Sequence, residues 1–111
     1  MGKLAGRRAV ITGAARGIGA GIARRFAQES ASLVLVDRLE AELRETTDEL
    51  CSQGSNVEMV LLDLSHEDAA EIIHERSSAR FSGVDILVNN AALGITGGIE
   101  DFDHPTWDLL L

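Results

Sequence analysis

Short apolar runs alternate with segments of helical periodicity along most of the 111-residue chain. The runs are continuous and rich in Val, Ile and Leu, which is typical of strands buried on both faces of a parallel sheet. They lie at 8–12, 32–37, 57–63 and 84–90. The segments between them predict helices over 18–30, over 39–53 and from an N-cap at Ser65 to about residue 80.

This alternation predicts an α/β fold, because strands separated by helices of ten or more residues pair in parallel through right-handed crossovers. We expect a doubly wound sheet, incomplete at four strands in the order 3-2-1-4, with the apolar fourth strand at an exposed edge. Three crossover helices and the start of a fourth follow from the pattern. The fourth is predicted to begin at Asp103 or His104, because Pro105 is tolerated in the first turn of a helix.

The stretch "TGAARGIG", residues 12–19, falls between the first strand and the first helix. Gly13 allows a tight turn, and Gly17 and Gly19 would let backbone amides approach a pyrophosphate that faces the positive end of the helix. The spacing is G-x-x-x-G-x-G rather than the commoner G-x-G-x-x-G. An ordinary turn is the alternative, but the strand–turn–helix position favours dinucleotide binding.

Asp37 ends the second strand, where a carboxylate can accept hydrogen bonds from the ribose hydroxyls of an adenosine. Its charge would also repel a 2′-phosphate, which favours NAD as the cofactor over NADP. Arg16 and Arg38 oppose this preference, because a guanidinium can pair with that phosphate. The competing interpretation of Asp37 is that it only begins a turn.

The glycine stretch, "LDLS" around Asp63 and "VNNAA" at 88–92 together resemble the short-chain dehydrogenase/reductase family of the classical type. The resemblance covers essentially the whole chain and implies a Rossmann-like, NAD(P)-binding fold. It further implies that Asp63 and Leu64 lie against the adenine, that Ile18 belongs to the cofactor-binding loop, and that Asn89, Asn90 and Ala91 end the fourth strand and contact the cofactor. The family usually has Gly where this chain has Ala92.

The resemblance implies an oxidoreductase that transfers hydride between a nicotinamide dinucleotide and a small alcohol or carbonyl compound. Catalysis in that family resembles acid–base chemistry by a tyrosine whose pKa is lowered by a lysine in Tyr-x-x-x-Lys. This sequence contains no tyrosine, and its one lysine, Lys3, precedes the first strand. No catalytic residue is therefore predicted, and the substrate would depend on the part of the fold that this chain lacks.

Two further function classes stay open from the sequence. One is a non-catalytic nucleotide-binding or interaction module derived from the family. The other is a methyltransferase, whose fold also uses a glycine loop and an acid after the second strand. The spacing of the glycines and the asparagine pair argue against the methyltransferase.

Composition narrows the partners and the location. A net charge of −8 argues against nucleic acid or an anionic membrane as a partner. One cysteine and three scattered histidines predict no metal site. The first residues lack a signal-peptide pattern, so a cytoplasmic protein is expected. We further expect residues 1–111 to be one dinucleotide-binding domain truncated before its catalytic segment and poorly stable alone, with a homo-oligomer left open.

Overall fold

The computed structural model of the chain describes residues 2–90 and the strand at 108–110. Parallel strands and helices alternate from residue 8 to residue 88. The strands are β1 (Arg8–Thr12), β2 (Ser32–Asp37), β3 (Val57–Leu61), β4 (Ile86–Val88) and β5 (Asp108–Leu110). The helices are α1 (Gly17–Gln28), α2 (Glu40–Ser52) and α3 (Ala69–Phe81).

The sheet has the order β3-β2-β1-β4-β5, and all its pairs are parallel. At the centre, Val10 of β1 is opposite Val34 of β2 and Leu87 of β4. The predicted order 3-2-1-4 and the three crossover helices are confirmed. Such a parallel arrangement brings the carboxyl ends of the strands to a common edge, where open α/β sheets bind their ligands.

Side chains of the central strands alternate between two apolar layers. On one face, Ile11 and Leu35 pack with Leu43 and Leu50 of α2 and with residues of α1. On the other face, Val10, Val34 and Leu87 pack with Ile73 of α3. The continuous apolar runs are explained by this burial, because every residue of β1 and β2 is buried except Arg8, Ser32 and Asp37, which are half-buried.

The predicted fourth helix is wrong where the structure can test it. Residues 108–110 form β5, which pairs with β4 from Ile86 opposite Asp108 to Val88 opposite Leu110. The expectation that β4 is the exposed edge is wrong for the same reason. The unpaired backbone groups of β4 supply partners for a short extended segment, and such pairing overrides a local helix signal. Residues 103–107, where the helix was expected to begin, lie outside the described residues.

The predicted start of α3 is also displaced. Ser65 does not cap a helix; its N–H and hydroxyl both donate to Asp63 Oδ1, at 2.9 and 2.8 Å. The N-cap of α3 is Asp68, and Ala69 is its first residue. The Ser65 hydroxyl forms its hydrogen bond within a local turn and not with the backbone at the start of a helix. Serine side chains form both kinds of bond, so a serine in the sequence does not by itself locate the start of a helix.

A charged pair joins the amino ends of β1 and β4. The Arg8 guanidinium donates to both carboxylate oxygens of Asp85, at 3.0 Å each, and to the Phe81 carbonyl at 3.1 Å. The Arg8 N–H also donates to Asp85, and the Asp85 N–H to the Arg8 carbonyl. β4 begins just after this pair, at Ile86, and ends at Val88, so it is shorter at both ends than the strand predicted at 84–90.

Candidate functional site

A cleft of about 730 Å³ lies at the carboxyl ends of the strands. Most of the residues predicted to contact a cofactor line this cleft. They are Gly13, Arg16, Gly17, Asp37, Arg38, Asp63, Leu64 and Asn90. Leu39, Leu62 and Ser65 also line it and were not predicted. Ala91 lies outside the described residues.

The loop from β1 to α1 leaves the start of the helix open towards the cleft. Gly13 and Gly17 have φ of +65° and +60°, a left-handed backbone that glycine adopts without the cost of a Cβ atom. Arg16, the N-cap, is extended and makes no side-chain capping bond, and the first turn of α1 has no acidic residue. The first N–H groups of the helix are therefore available to an anion, which the helix dipole favours.

Gly19 has a packing role in addition to the predicted one. It is buried, and a Cβ atom there would stand 1.9 Å from the carbonyl oxygen of Gly13 and 2.7 Å from Asn90 Nδ2. Glycine at that position therefore lets α1 pack against its own loop. Its neighbour Ile18 is 76% exposed and is not among the residues lining the cleft.

The Asp37 carboxylate organises the backbone around the cleft. Asp37 Oδ2 accepts a hydrogen bond from the Ala15 N–H at 3.0 Å. Its other oxygen accepts from the N–H groups of Arg38 at 2.7 Å and Leu39 at 3.2 Å. The carboxylate thus joins the end of β2 to the glycine loop and to the segment that enters α2. A carboxylate has about four acceptor positions, so Asp37 keeps capacity for a ligand hydroxyl.

Asp63 lies across the cleft from the glycine loop, in the turn after β3. Hydrogen bonds from the backbone and hydroxyl of Ser65 lower the pKa of Asp63, and the nearby charge of Arg38 lowers it further. Asp63 is therefore a carboxylate at neutral pH. Leu64 is half-buried beside it and supplies an apolar surface.

The asparagines after β4 connect that strand to the glycine loop. Asn90 Nδ2 donates to the Gly13 carbonyl at 3.2 Å, and the Asn90 N–H donates to Thr12 Oγ1 at 3.1 Å. Thr12 in turn donates to the Val88 carbonyl at 3.4 Å. Asn89 Oδ1 is buried and has no hydrogen-bond partner within residues 2–90.

Two buried threonines support the site and were missed by sequence reasoning. Thr12 joins β1 to β4 as described above, and Thr46 Oγ1 of α2 donates to the Ala15 carbonyl at 3.2 Å. Thr12 opens the glycine stretch, so its position was a usable signal. Thr46 is 31 residues from its partner, and no local pattern indicates such a contact.

A family model described as short chain dehydrogenase matches residues 7–111. The chain belongs to the short-chain dehydrogenase family. Over 108 residues it is 41% identical to the oxidoreductase UcpA of Escherichia coli K12, and the aligned region covers 97% of this chain and 41% of UcpA. It is 38% identical over 111 residues to 3beta-hydroxysteroid dehydrogenase 2 of Eggerthella lenta, covering 97% of the chain and 42% of the relative. The chain thus spans about two fifths of these relatives.

Solved structures agree in fold and include complexes with both nicotinamide dinucleotides. The L-sorbose reductase of Gluconobacter frateurii, complexed with NADPH and L-sorbose, is 40% identical with a TM-score of 0.77, covering 81% of this chain and 35% of that one. A short chain dehydrogenase/reductase of Burkholderia phymatum in complex with NAD is 33% identical with a TM-score of 0.75, covering 79% and 31%. The resemblance to NAD(P)-dependent oxidoreductases and the Rossmann-like fold are confirmed.

Within residues 2–90 and 108–110 there is no group of three or more His, Cys, Asp or Glu residues placed to hold a metal ion. None of the helices α1 to α3 has the length and apolar character needed to cross a bilayer.

Proposed function

We propose that the cleft binds a nicotinamide dinucleotide and that residues 1–111 are the dinucleotide-binding domain of an oxidoreductase acting on an alcohol or carbonyl compound. The observation that carries the proposal is the open amino terminus of α1. It has neither a side-chain cap nor an acidic first turn, and its glycine loop lines the same cleft as the strand-end acids. A pyrophosphate is the group of a dinucleotide that suits such a site.

Each part of the dinucleotide has a proposed partner among the residues of the glycine loop and the strand ends. The N–H groups of residues 16–19, which include Gly17 and Gly19, are proposed to bind the pyrophosphate. Asp37 is proposed to accept from the adenosine ribose. The turn at Asp63 and Leu64 is proposed to contact the adenine, because it lines the cleft and combines an apolar side chain with an exposed acidic residue.

The asparagine segment completes the proposed site. Asn90 and Ala91 are proposed to contact the dinucleotide at the end of β4, where Asn90 already contacts the glycine loop. When bound, the nicotinamide supplies hydride transfer. The residues of this chain bind and orient the dinucleotide.

NAD is the proposed cofactor in preference to NADP. The Asp37 carboxylate lines the cleft, and its negative charge would oppose a 2′-phosphate. Arg16 and Arg38 line the cleft as well and would favour that phosphate. Asp37 outweighs them because three backbone N–H groups hold its carboxylate at one place, whereas both arginine side chains are exposed and must be ordered on binding.

Acid–base chemistry is not assigned to any residue of this chain. The sequence has no tyrosine, and the Asp63 carboxylate, with its lowered pKa, is engaged by Ser65. The property to test in this chain is therefore dinucleotide binding and not catalytic turnover. An alcohol or carbonyl compound is proposed as the substrate of the whole protein.

Isothermal titration calorimetry of the purified chain with NAD, NADP and S-adenosylmethionine tests this function. We expect saturable binding of NAD at one site per chain, weaker binding of NADP and none of S-adenosylmethionine. Preferred binding of S-adenosylmethionine would replace the oxidoreductase proposal with a methyltransferase. No binding of either dinucleotide by the folded chain would refute it.

A further inference from the structure

Helix α2 reaches the glycine loop through one buried side chain, that of Thr46. Thr46 is 3% exposed, and its hydroxyl donates a hydrogen bond to the Ala15 carbonyl, outside the helix, at 3.2 Å. A threonine in the middle of a helix costs stability relative to alanine or leucine. Propensity therefore does not explain the residue, and its contact with the loop does.

Ala15 is held at both ends of its backbone. Its N–H donates to Asp37 Oδ2 at 3.0 Å, and its C=O accepts from Thr46. The preceding N–H, that of Ala14, donates to the Val36 carbonyl at 3.2 Å. Arg16 and Gly17 follow directly, so these bonds fix the direction in which the chain enters the open turn of α1.

The helix that carries Thr46 is itself fixed against α1. The Arg24 guanidinium of α1 donates to both carboxylate oxygens of Glu49 in α2, at 2.8 and 3.1 Å. Leu43 and Leu50 of α2 are fully buried under the sheet. Thr46 therefore reaches the loop from a helix that is packed against the sheet and paired with α1.

We propose that Thr46 is a positioning residue for dinucleotide binding, which holds the glycine loop in the conformation that receives the pyrophosphate. This inference rests on the proposed function of the cleft. Thr46 does not line the cleft; it acts through the Ala15 peptide. Loss of its hydroxyl leaves a buried carbonyl without this donor and lets the loop adopt other conformations, so that binding must include the cost of ordering it.

The adjacent threonine provides a matched control. Thr47 is 8% exposed, also in α2, and its hydroxyl is buried with no hydrogen-bond partner within the described part of the chain. Thr47→Val therefore makes the same chemical change one residue away without removing a contact to the loop. Thr46→Ser keeps the hydroxyl and tests rescue.

The first measurement is the dissociation constant for NAD by calorimetry, at a temperature where urea unfolding shows every variant to be folded. Thr46→Val is expected to weaken binding about 3- to 10-fold, the equivalent of one hydrogen bond. Thr46→Ser and Thr47→Val are expected to stay within about 2-fold of the wild type. Thr46→Ala, which has a higher helix propensity, replaces Thr46→Val if the latter fails to fold.

The second measurement is amide hydrogen exchange of residues 14–19 without ligand. Faster exchange in Thr46→Val but not in Thr47→Val is expected. Wild-type affinity of Thr46→Val, or an equal loss in Thr47→Val, would overturn the inference. Failure of the wild-type chain to bind NAD would refute the proposed function alone. In that case hydrogen exchange decides the role of Thr46: unchanged exchange of residues 14–19 in Thr46→Val would overturn the positioning role, and faster exchange would support it.

Discussion

The contact between α1 and its own loop predicts opposite effects for two glycine substitutions in one helix. Gly19→Ala places a Cβ atom 1.9 Å from the Gly13 carbonyl oxygen, where real Cβ atoms need at least 3.0 Å. Gly21→Ala places a Cβ atom in open space, with nothing within 4 Å. Both changes bring the same gain in helix propensity, so their difference isolates the contact.

The magnitude follows from the chemistry of the blocking atom. The helix and loop must separate by about 1.1 Å, and because a backbone carbonyl cannot rotate away, the cost is near the upper end of the roughly 1–3 kcal/mol typical of overpacking. The Asn90–Gly13 hydrogen bond adds about 1 kcal/mol when lost. Set against a gain of about 1 kcal/mol from alanine in a helix, Gly19→Ala is expected to lower the free energy of unfolding by about 3 kcal/mol. Gly21→Ala should raise it by about 0.5–1 kcal/mol.

Urea unfolding followed by circular dichroism measures both free energies, and calorimetry measures NAD binding. Gly19→Ala should weaken NAD binding at least tenfold, about 1.4 kcal/mol, because the loop is displaced from the start of α1. Gly21→Ala should bind NAD as the wild type does. Equal stability and equal affinity of the two variants would refute the account of Gly19.

Further predictions concern cofactor choice and acid stability. Asp37→Ala should weaken NAD binding and narrow the preference for NAD over NADP. Arg38→Ala should weaken NADP binding about tenfold and leave NAD binding nearly unchanged, because a charge-assisted hydrogen bond to a phosphate contributes about 1.5 kcal/mol. If calorimetry shows the same ratio of NAD to NADP affinity in the variants as in the wild type, both predictions are contradicted. Hydrogen bonds from the Arg8 side chain lower the pKa of Asp85, so their stabilisation is present above the ordinary Asp pKa of about 3.9 and is lost as pH falls through the lower folded value. In Asp85→Asn, the free energy of unfolding should therefore decrease less steeply below about pH 4 than in the wild type, as measured by urea unfolding at each pH. The same pH dependence in both proteins would contradict a stabilising Arg8–Asp85 pair.

The sequence predicts the parts of the fold that local periodicity determines. The bounds of β1 and β2 are as predicted because both strands are central, and burial on two faces produces an uninterrupted apolar run. Prediction fails where tertiary pairing decides: Asp108–Leu110 is a strand because β4 offers an open edge. It also fails at Ser65, whose hydroxyl donates a hydrogen bond to Asp63 and does not cap a helix.

The candidate site is predictable where topology alone brings residues together. Gly13, Asp37, Asp63 and Asn90 lie at the carboxyl ends of four parallel strands or just after them. Their convergence on one cleft therefore follows from the strand order. The supporting contacts do not follow from it. Which hydroxyl of α2 meets the loop depends on the rotation of a helix about its axis, and this is set by packing against the sheet.

The central claim is that the open start of α1 binds the pyrophosphate of a nicotinamide dinucleotide. Amide chemical shifts of the ¹⁵N-labelled chain, followed during titration with NAD, test it most directly. The account predicts the largest changes at the N–H groups of residues 16–19, with smaller changes next to Asp37 and Asp63. Saturable binding with changes confined to α3, or no change in residues 16–19 at saturating NAD, would contradict it.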